Sequence, residues 1–166
     1  MSIKLIGDKK LIKNLQLVAG KYERETGQAL RRQAFRIENK SKKNLRDSGH
    51  NNTGRLINSA YVTHFIKIFN KLVVETGYFA EYAPAIHEGT PPHYVPVDKL
   101  KVWAREKFSA SDDDAEDIAY AVQNKIEWVG TRGSKFFENA IDDLSDSIIR
   151  EIRDYVKAQM ERGGLK

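Results

Sequence analysis

The four prolines of this chain, Pro84, Pro91, Pro92 and Pro96, all lie within residues 82–97, which we call the proline segment. Proline has a fixed φ and no amide hydrogen, so the last three exclude a helix interior or a central strand there. They favour a stiff, extended surface loop. Because contact surfaces concentrate on loops held by a packed scaffold, we expect this segment to carry function. The alternative is that the prolines only separate two structural elements.

The length and composition limit the classes of protein to which the chain can belong. A chain of 166 residues suits one domain, 1–166, with a single core. No apolar run approaches the roughly 18 residues of a membrane span, and the first residues lack the apolar core of a signal peptide, so we expect a cytoplasmic protein without a membrane partner. The absence of cysteine excludes disulfides, thiolate nucleophiles and cysteine-ligated zinc. The net charge of +5 permits a polyanionic partner but does not require one.

Hydrophobic spacing predicts a strand and two helices in the first third of the chain. The strand covers residues 3–6, and the first helix follows it and ends at Gly20. The second, long helix covers residues 22–46. Its apolar face is formed by residues three or four positions apart, namely Leu30, Ala34, Ile37, Ser41 and Leu45.

The remainder of the chain contains a hairpin and then helices. Residues 60–69 and 72–77 are rich in β-branched and aromatic side chains, which predicts an antiparallel hairpin that turns at Asn70 and Lys71. A short helix precedes the prolines. Further helices begin at Asp98, at the acidic residues 112–117, and at Lys135. The predicted fold class is therefore α+β, with the hairpin and the N-terminal strand packed against the long helix.

One face of the long helix is basic. At about 100° per residue, an arc opposite the apolar face collects Arg32, Arg36, Lys40, Lys43 and Arg46. A solvated helix face is the simplest interpretation. The alternatives are contact with an acidic surface on a neighbouring subunit, or with nucleic-acid phosphates bound without sequence recognition.

Histidines in the proline segment raise the question of a metal site. His87, Glu88 and His93 have the residue types of a zinc protease, but the second histidine lies six residues on, across two prolines, rather than four residues on along a helix. We therefore expect loop histidines rather than metal ligands. No glycine-rich phosphate loop and no nucleophile elbow occur in the sequence, and we expect no cofactor. Trp103, Trp128, and the pair Phe136 and Phe137 are expected in the core.

The order of short motifs along the chain resembles a known family. These motifs are Ile3-Lys4-Leu5-Ile6-Gly7-Asp8, Thr53-Gly54-Arg55-Leu56 with Ser59, Tyr82-Ala83-Pro84, Glu88-Gly89-Thr90, Pro91-Pro92-His93, Pro96-Val97-Asp98, Trp103-Ala104-Arg105, and Lys135-Phe136-Phe137 with Ala140. Together they resemble the tail-component family of long-tailed bacteriophages, the neck proteins called tail-completion or head–tail joining proteins.

This resemblance implies a structural virion protein rather than an enzyme. It implies a ring of identical subunits at the head end of the tail, which contacts the tail terminator on one side and head-closure proteins on the other. On this interpretation the partner-contacting residues are Tyr82, Glu88, Pro91, Pro92, His93 and Tyr94. The basic helix face would meet an acidic neighbour or DNA in the channel. A small basic nucleic-acid-binding protein is the alternative function.

Overall fold

The computed structural model of the chain describes residues 9–49 and 54–162. Its fold class is α+β, as predicted, with one long helix and small antiparallel sheets. The predicted strand at residues 3–6 lies outside the described residues. None of the helices within the described ranges combines the length and the apolar character that a membrane crossing requires.

Helix α1 (Lys9–Asp47) is one continuous helix of 39 residues, so the predicted break at Gly20 is wrong. A glycine inside a helix costs only about 1 kcal/mol relative to alanine, which the neighbouring turns readily offset. Gly27 has a packing role, because a Cβ there would lie 2.5 Å from the ring of Phe65. The missing side chain lets this aromatic ring lie directly against the helix.

The predicted hairpin is present, but it consists of two successive strand pairs. A short helix α2 (Arg55–Asn58) leads into β1 (Ala60–Val62), which pairs with β4 (Thr76–Tyr78). Between them, β2 (Ile66–Ile68) pairs antiparallel with β3 (Lys71–Val73), with Ile68 opposite Lys71. The turn is therefore formed by Phe69 and Asn70, one residue earlier than predicted. Phe69 has a φ of 53°, which is unusual for a bulky residue.

The second half of the chain is mainly helical. Helix α3 (Ala83–Glu88) carries Pro84 in its first turn and leads into β5 (Gly89–Thr90). Helices α4 (Val97–Phe108) and α5 (Asp112–Val129) follow, then β6 (Thr131–Arg132) and α6 (Phe136–Arg162).

One predicted helix start is wrong and another is confirmed. Asp98 was predicted to be the N-cap of α4, but it lies inside the first turn, and Pro96 occupies the cap position. The acidic start of α5 is confirmed. Its N-cap is Ser111, whose Oγ accepts the Asp114 N–H at 3.2 Å.

Residue contacts divide the described chain into two units. One comprises residues 9–37, 62–76 and 142–162, and the other comprises residues 38–49, 54–61 and 77–141. In the first, α6 lies along α1, because the Tyr155 hydroxyl donates to Glu25 Oε2 at 3.3 Å and the Arg32 guanidinium lies 4.4 Å from the Tyr155 ring centroid. These contacts hold the basic side of α1 against α6 within this unit.

In the second unit, a hydrophobic cluster forms around α1, α2, α3 and the start of α6. Its buried members are Leu45, Leu56, Ile57, Ala83 and Phe136. The Tyr78 ring meets Phe136 edge to face at 5.1 Å. Tyr78 OH lies 2.7 Å from Ser41 Oγ, which itself donates to the Glu38 carbonyl at 2.8 Å, so the phenol is the donor. Burial is the main cause that raises the pKa of this phenol.

The predicted aromatic core is confirmed in part. Phe136 is buried and Phe137 packs against the cluster, whereas Trp128 is 81% exposed, so its predicted burial is wrong. Trp128 lies in the last turn of α5, on the side away from the buried positions Ala115, Ala119 and Gln123. Helical spacing alone did not separate these two sides.

Replacement of two leucines of α1 by alanine tests where the core lies. Leu45 is fully buried and Leu17 is 64% exposed, although both occupy the same helix. We expect Leu45→Ala to lower the free energy of unfolding by about 2–5 kcal/mol through lost burial and the cavity left behind. Leu17→Ala should change it by no more than ~0.5 kcal/mol. Urea denaturation measures both, and equal effects would contradict the assigned core.

Candidate subunit interface

The proline segment is divided between secondary structure and loop. Its first part forms α3 and β5, and residues 91–96 form an irregular connection to α4. The expectation of an extended loop is therefore correct only for the part that contains Pro91, Pro92 and Pro96. Pro84 is compatible with a helix because the first-turn amide has no partner within the helix.

Strand β6 holds the segment from one side. Gly89 pairs with Arg132 and Thr90 with Thr131 in an antiparallel register. The side chain of Thr131 adds two bonds, because its Oγ1 accepts the Thr90 N–H at 3.0 Å and lies 2.8 Å from Thr90 Oγ1. A ladder of only two residues per strand is thus reinforced by a threonine pair.

The chain after β6 continues alongside α3. The Ser134 N–H donates to the Ile86 carbonyl at 3.0 Å, and the Lys135 N–H donates to the His87 carbonyl at 3.0 Å. Ser134 Oγ donates to the same Ile86 carbonyl at 3.0 Å. These bonds satisfy carbonyls at the C-terminal end of α3, which have no partner within the helix. The proline segment is therefore fastened at its α3 end as well.

Three glycines allow this close approach of the two backbones. A Cβ on Gly89 would lie 2.2 Å from the Thr131 carbonyl oxygen, one on Gly130 would lie 2.0 Å from that of Thr90, and one on Gly133 would lie 2.3 Å from that of His87. Gly89 and Gly130 also have φ of 85° and 77°, which other residues adopt rarely. No other amino acid fits at these positions without a shift of backbone.

The following residues are attached to α5. The His93 N–H donates to the Ile126 carbonyl at 3.3 Å, and Gln123 Nε2 donates to the Val95 carbonyl at 3.1 Å. Gln123 is buried, and its side-chain hydrogen bond to the loop is partly buried. His93 Nδ1 lies 2.9 Å from the Pro91 carbonyl, which can only accept, so Nδ1 carries the proton.

The outer side of the segment carries the residues predicted to meet partners. Tyr82, Glu88, Pro91, Pro92, His93 and Tyr94 are all exposed. Tyr82 and Tyr94 are large aromatic side chains of the kind enriched at protein interfaces. The segment thus presents these exposed side chains on a backbone that α5, β6 and the chain after β6 hold in place.

Glu88 is the charged residue of this surface, and Lys135 pairs with it. Lys135 Nζ donates to Glu88 Oε2 and also lies 3.6 Å from Glu138 Oε2. The bond from Lys135 is the main cause that lowers the pKa of Glu88 below its usual value. The Glu88 carboxylate therefore stays charged at neutral pH.

The histidines of the segment occupy separate environments. The His87 ring meets Phe136 edge to face at 5.2 Å, and its Nε2 lies 3.4 Å from Glu88 Oε1. Its buried Nδ1 has no hydrogen-bond partner among the described residues. His93 is bonded within its own loop. In residues 9–49 and 54–162, no three His, Cys, Asp or Glu side chains come close enough to hold a metal ion.

The structure divides the predicted basic face of α1 into two parts. Arg36 pairs with Glu151 of α6 and donates to Gln33 Oε1 at 2.8 Å, and the bond to Arg36 is the main cause that lowers the pKa of Glu151. Arg32 lies over Tyr155. Of the other members, Lys43 and Arg46 are exposed and Lys40 is half-buried.

The sequence did not identify the residues that hold the segment. Gly130, Thr131, Gly133 and Gln123 lie more than 25 residues from the loop parts they bind. The two glycines in residues 130–133 directly follow the end of α5, where glycine is common for helix termination alone. The spacing of these two glycines is the only local feature of the sequence that fits a close approach of two backbones.

Comparison with known proteins does not extend this description. No protein-family model, curated protein or solved structure matches the chain significantly.

The same substitution at two glycines should have opposite effects. Gly130→Ala places a methyl group against the Thr90 carbonyl at a φ unfavourable to alanine, so we expect a loss of stability of more than ~1 kcal/mol and faster hydrogen exchange at the Thr90 and His93 amides. A Cβ on Gly20, within α1, would meet no atom of the described residues within 4 Å, so Gly20→Ala should stabilise the protein by about 0.5–1 kcal/mol. Thermal unfolding and exchange by NMR measure these effects, and unchanged exchange in the Gly130 variant would show that β6 does not hold the loop.

Proposed function

We propose that this chain is a non-enzymatic structural subunit of the neck of a long-tailed bacteriophage. It forms a ring with copies of itself, completes the tail, and joins it to the head through the tail terminator and the head-closure proteins. Its place is the virion, and the host cytoplasm during assembly. The ordered motifs from Ile3 to Ala140 support this proposal.

The observation that carries the proposal is the construction of the proline segment. Backbone bonds to β6 and α5 hold it on one side, and Pro91, Pro92 and Tyr94 are exposed on the other. A loop that already has its bound shape loses little conformational entropy on association. In a ring this advantage is repeated at every copy, so a stiff contact loop suits a subunit of a symmetric assembly.

The arrangement of the basic face makes nucleic-acid binding the weaker alternative. Phosphate binding needs cations that can approach the backbone of DNA. Arg36 is paired with Glu151 of α6, and Arg32, although exposed, lies over the Tyr155 ring. A dedicated DNA-binding protein would have to break these contacts or bind through fewer charges.

Light scattering and electron microscopy of the purified protein test this function. Closed rings should form, alone or with an equimolar tail terminator, with a mass that is a multiple of 19.0 kDa. A 19.0 kDa monomer under both conditions, together with DNA binding that weakens steeply with salt, would contradict the proposal and support the alternative.

Substitution of two prolines tests the role of the segment in a phage that carries this gene. Pro91→Gly with Pro92→Gly removes the φ restriction on exposed residues, so we expect an unchanged melting temperature within a few degrees but a yield of infectious particles at least ~10-fold lower. The matched control is Asn70→Gly, which introduces glycine into the exposed β2–β3 turn. Normal yields from the double variant, or an equal loss from the control, would contradict a contact role for the segment.

A further inference from the structure

An apolar groove of about 850 Å³ lies beside the proline segment. Helices α3, α4 and α5 and strand β6 all contribute to it. Its apolar lining consists of Ala85, Ile86, Leu100, Trp103, Val122, Ile126 and Val129. Val129 is mostly exposed although it is a large aliphatic side chain. An open groove with this lining gains free energy when an apolar side chain covers it.

The groove is continuous with the proline segment. Ile126 lines the groove, and its carbonyl accepts the His93 N–H. Gly130 also lines the groove and packs against the Thr90 carbonyl. A partner that contacts the exposed loop can therefore reach the groove without crossing other parts of the surface.

Two cations at the groove indicate the charge of its occupant. Lys125 and Arg132 line the groove and are both exposed. Neither forms an ion pair within residues 9–49 and 54–162. A bound segment that supplies an apolar side chain together with carboxylates would match both the lining and these charges.

The turn between α4 and α5 has this composition. Phe108 ends α4 and is 56% exposed, and Asp112, Asp113 and Asp114 open α5. Asp112 pairs with Arg105 at 2.8 Å, and Asp114 accepts from Ser111 Oγ at 2.6 Å. Asp113 has no such partner within the described chain and is exposed.

Asp113 and the groove cation Lys125 lie towards opposite ends of α5. From Asp113 to Lys125, α5 rises roughly 18 Å, so the Asp113 carboxylate cannot reach Lys125 in the same copy. A contact between this carboxylate and Lys125 must therefore join two copies through different surfaces. Such head-to-tail contacts generate closed rings when the rotation closes.

We propose that the groove binds the α4–α5 turn of a second copy of this chain. Phe108 enters the apolar lining, and the free carboxylate of Asp113 faces Lys125 and Arg132. This inference rests on the proposed function, because it requires that the protein assembles with copies of itself. It adds the identity of the surfaces that join neighbouring copies.

Two variants test this contact, and each of them disrupts one of its two surfaces. Phe108→Glu puts a carboxylate where an apolar side chain should enter, and Val129→Glu puts one inside the groove. Each should raise the dissociation constant for self-association by roughly 30-fold or more. The matched control is Phe69→Glu on the β2–β3 turn, where the side chain is 94% exposed, and it should assemble as the wild type does.

A mixture of the two variants gives the decisive measurement. The Val129→Glu chain keeps an intact turn and the Phe108→Glu chain an intact groove, so an equimolar mixture should form dimers of twice 19.0 kDa and nothing larger. Each remaining end carries a damaged surface, which stops growth. Analytical ultracentrifugation distinguishes this dimer from the monomers of each variant alone.

The outcomes separate this inference from the proposed function. If wild-type rings form and either variant still forms them, or the mixture stays monomeric, the inference is overturned while the ring function stands. If the wild type does not self-associate alone or with tail terminator, both fail. If Val129→Glu loses only terminator binding, the groove serves that protein and the inference is overturned.

Folding of the variants is checked independently. Phe108 meets Trp103 edge to face at 5.5 Å, so Phe108→Glu could disturb the groove of its own chain. The milder Asp113→Lys leaves this ring contact intact and should also weaken association at least tenfold, with an unchanged melting temperature. Unchanged association of a folded Asp113→Lys chain would overturn the role assigned to the carboxylate.

Discussion

The backbone contact between residues 89–90 and 130–133 determines the shape of the candidate interface. A Cβ on Gly130 would lie 2.0 Å from the Thr90 carbonyl oxygen, and one on Gly89 would lie 2.2 Å from that of Thr131. The two segments can therefore approach this closely only with glycine at both positions. Such proximity permits the short β5–β6 ladder and the threonine pair. Because α3 precedes β5 and α5 precedes β6, the same contact joins both helices to the loop that carries the exposed prolines.

Much of the fold could be predicted because it depends on local periodicity. The hairpin, the long amphipathic helix and the helices of the second half follow from side-chain spacing and capping residues. The errors occur where tertiary context outweighs a local signal. Gly20 does not break α1, since the turns around it supply enough hydrogen bonds, and Trp128 has helical spacing but lies on the exposed side of α5. The single-domain prediction, 1–166, stays a prediction.

The candidate interface could be predicted only in part. Proline chemistry predicted a stiff loop within residues 82–97, of which residues 91–96 form the irregular part, and the residues predicted to meet partners are exposed along the segment. What holds the loop could not be inferred, because Gln123 and Thr131 act across long separations in sequence. The basic face was likewise predicted only in part. Its angular spacing is correct, but Arg36 is occupied by Glu151, which lies 115 residues away and has no sequence signal that links it to α1.

The shape of the loop and the chemistry of its exposed surface depend on different atoms. Main-chain atoms of Thr90, His93 and Val95 make the bonds to β6 and α5, and the buried amide of Gln123 completes them. The side chain of Tyr94 takes no part in this framework. Surface residues of this kind can therefore diverge rapidly while the path of the chain is preserved, so related proteins could change partners through a few substitutions. Selection on the fold would act instead on the glycines that let the two backbones approach.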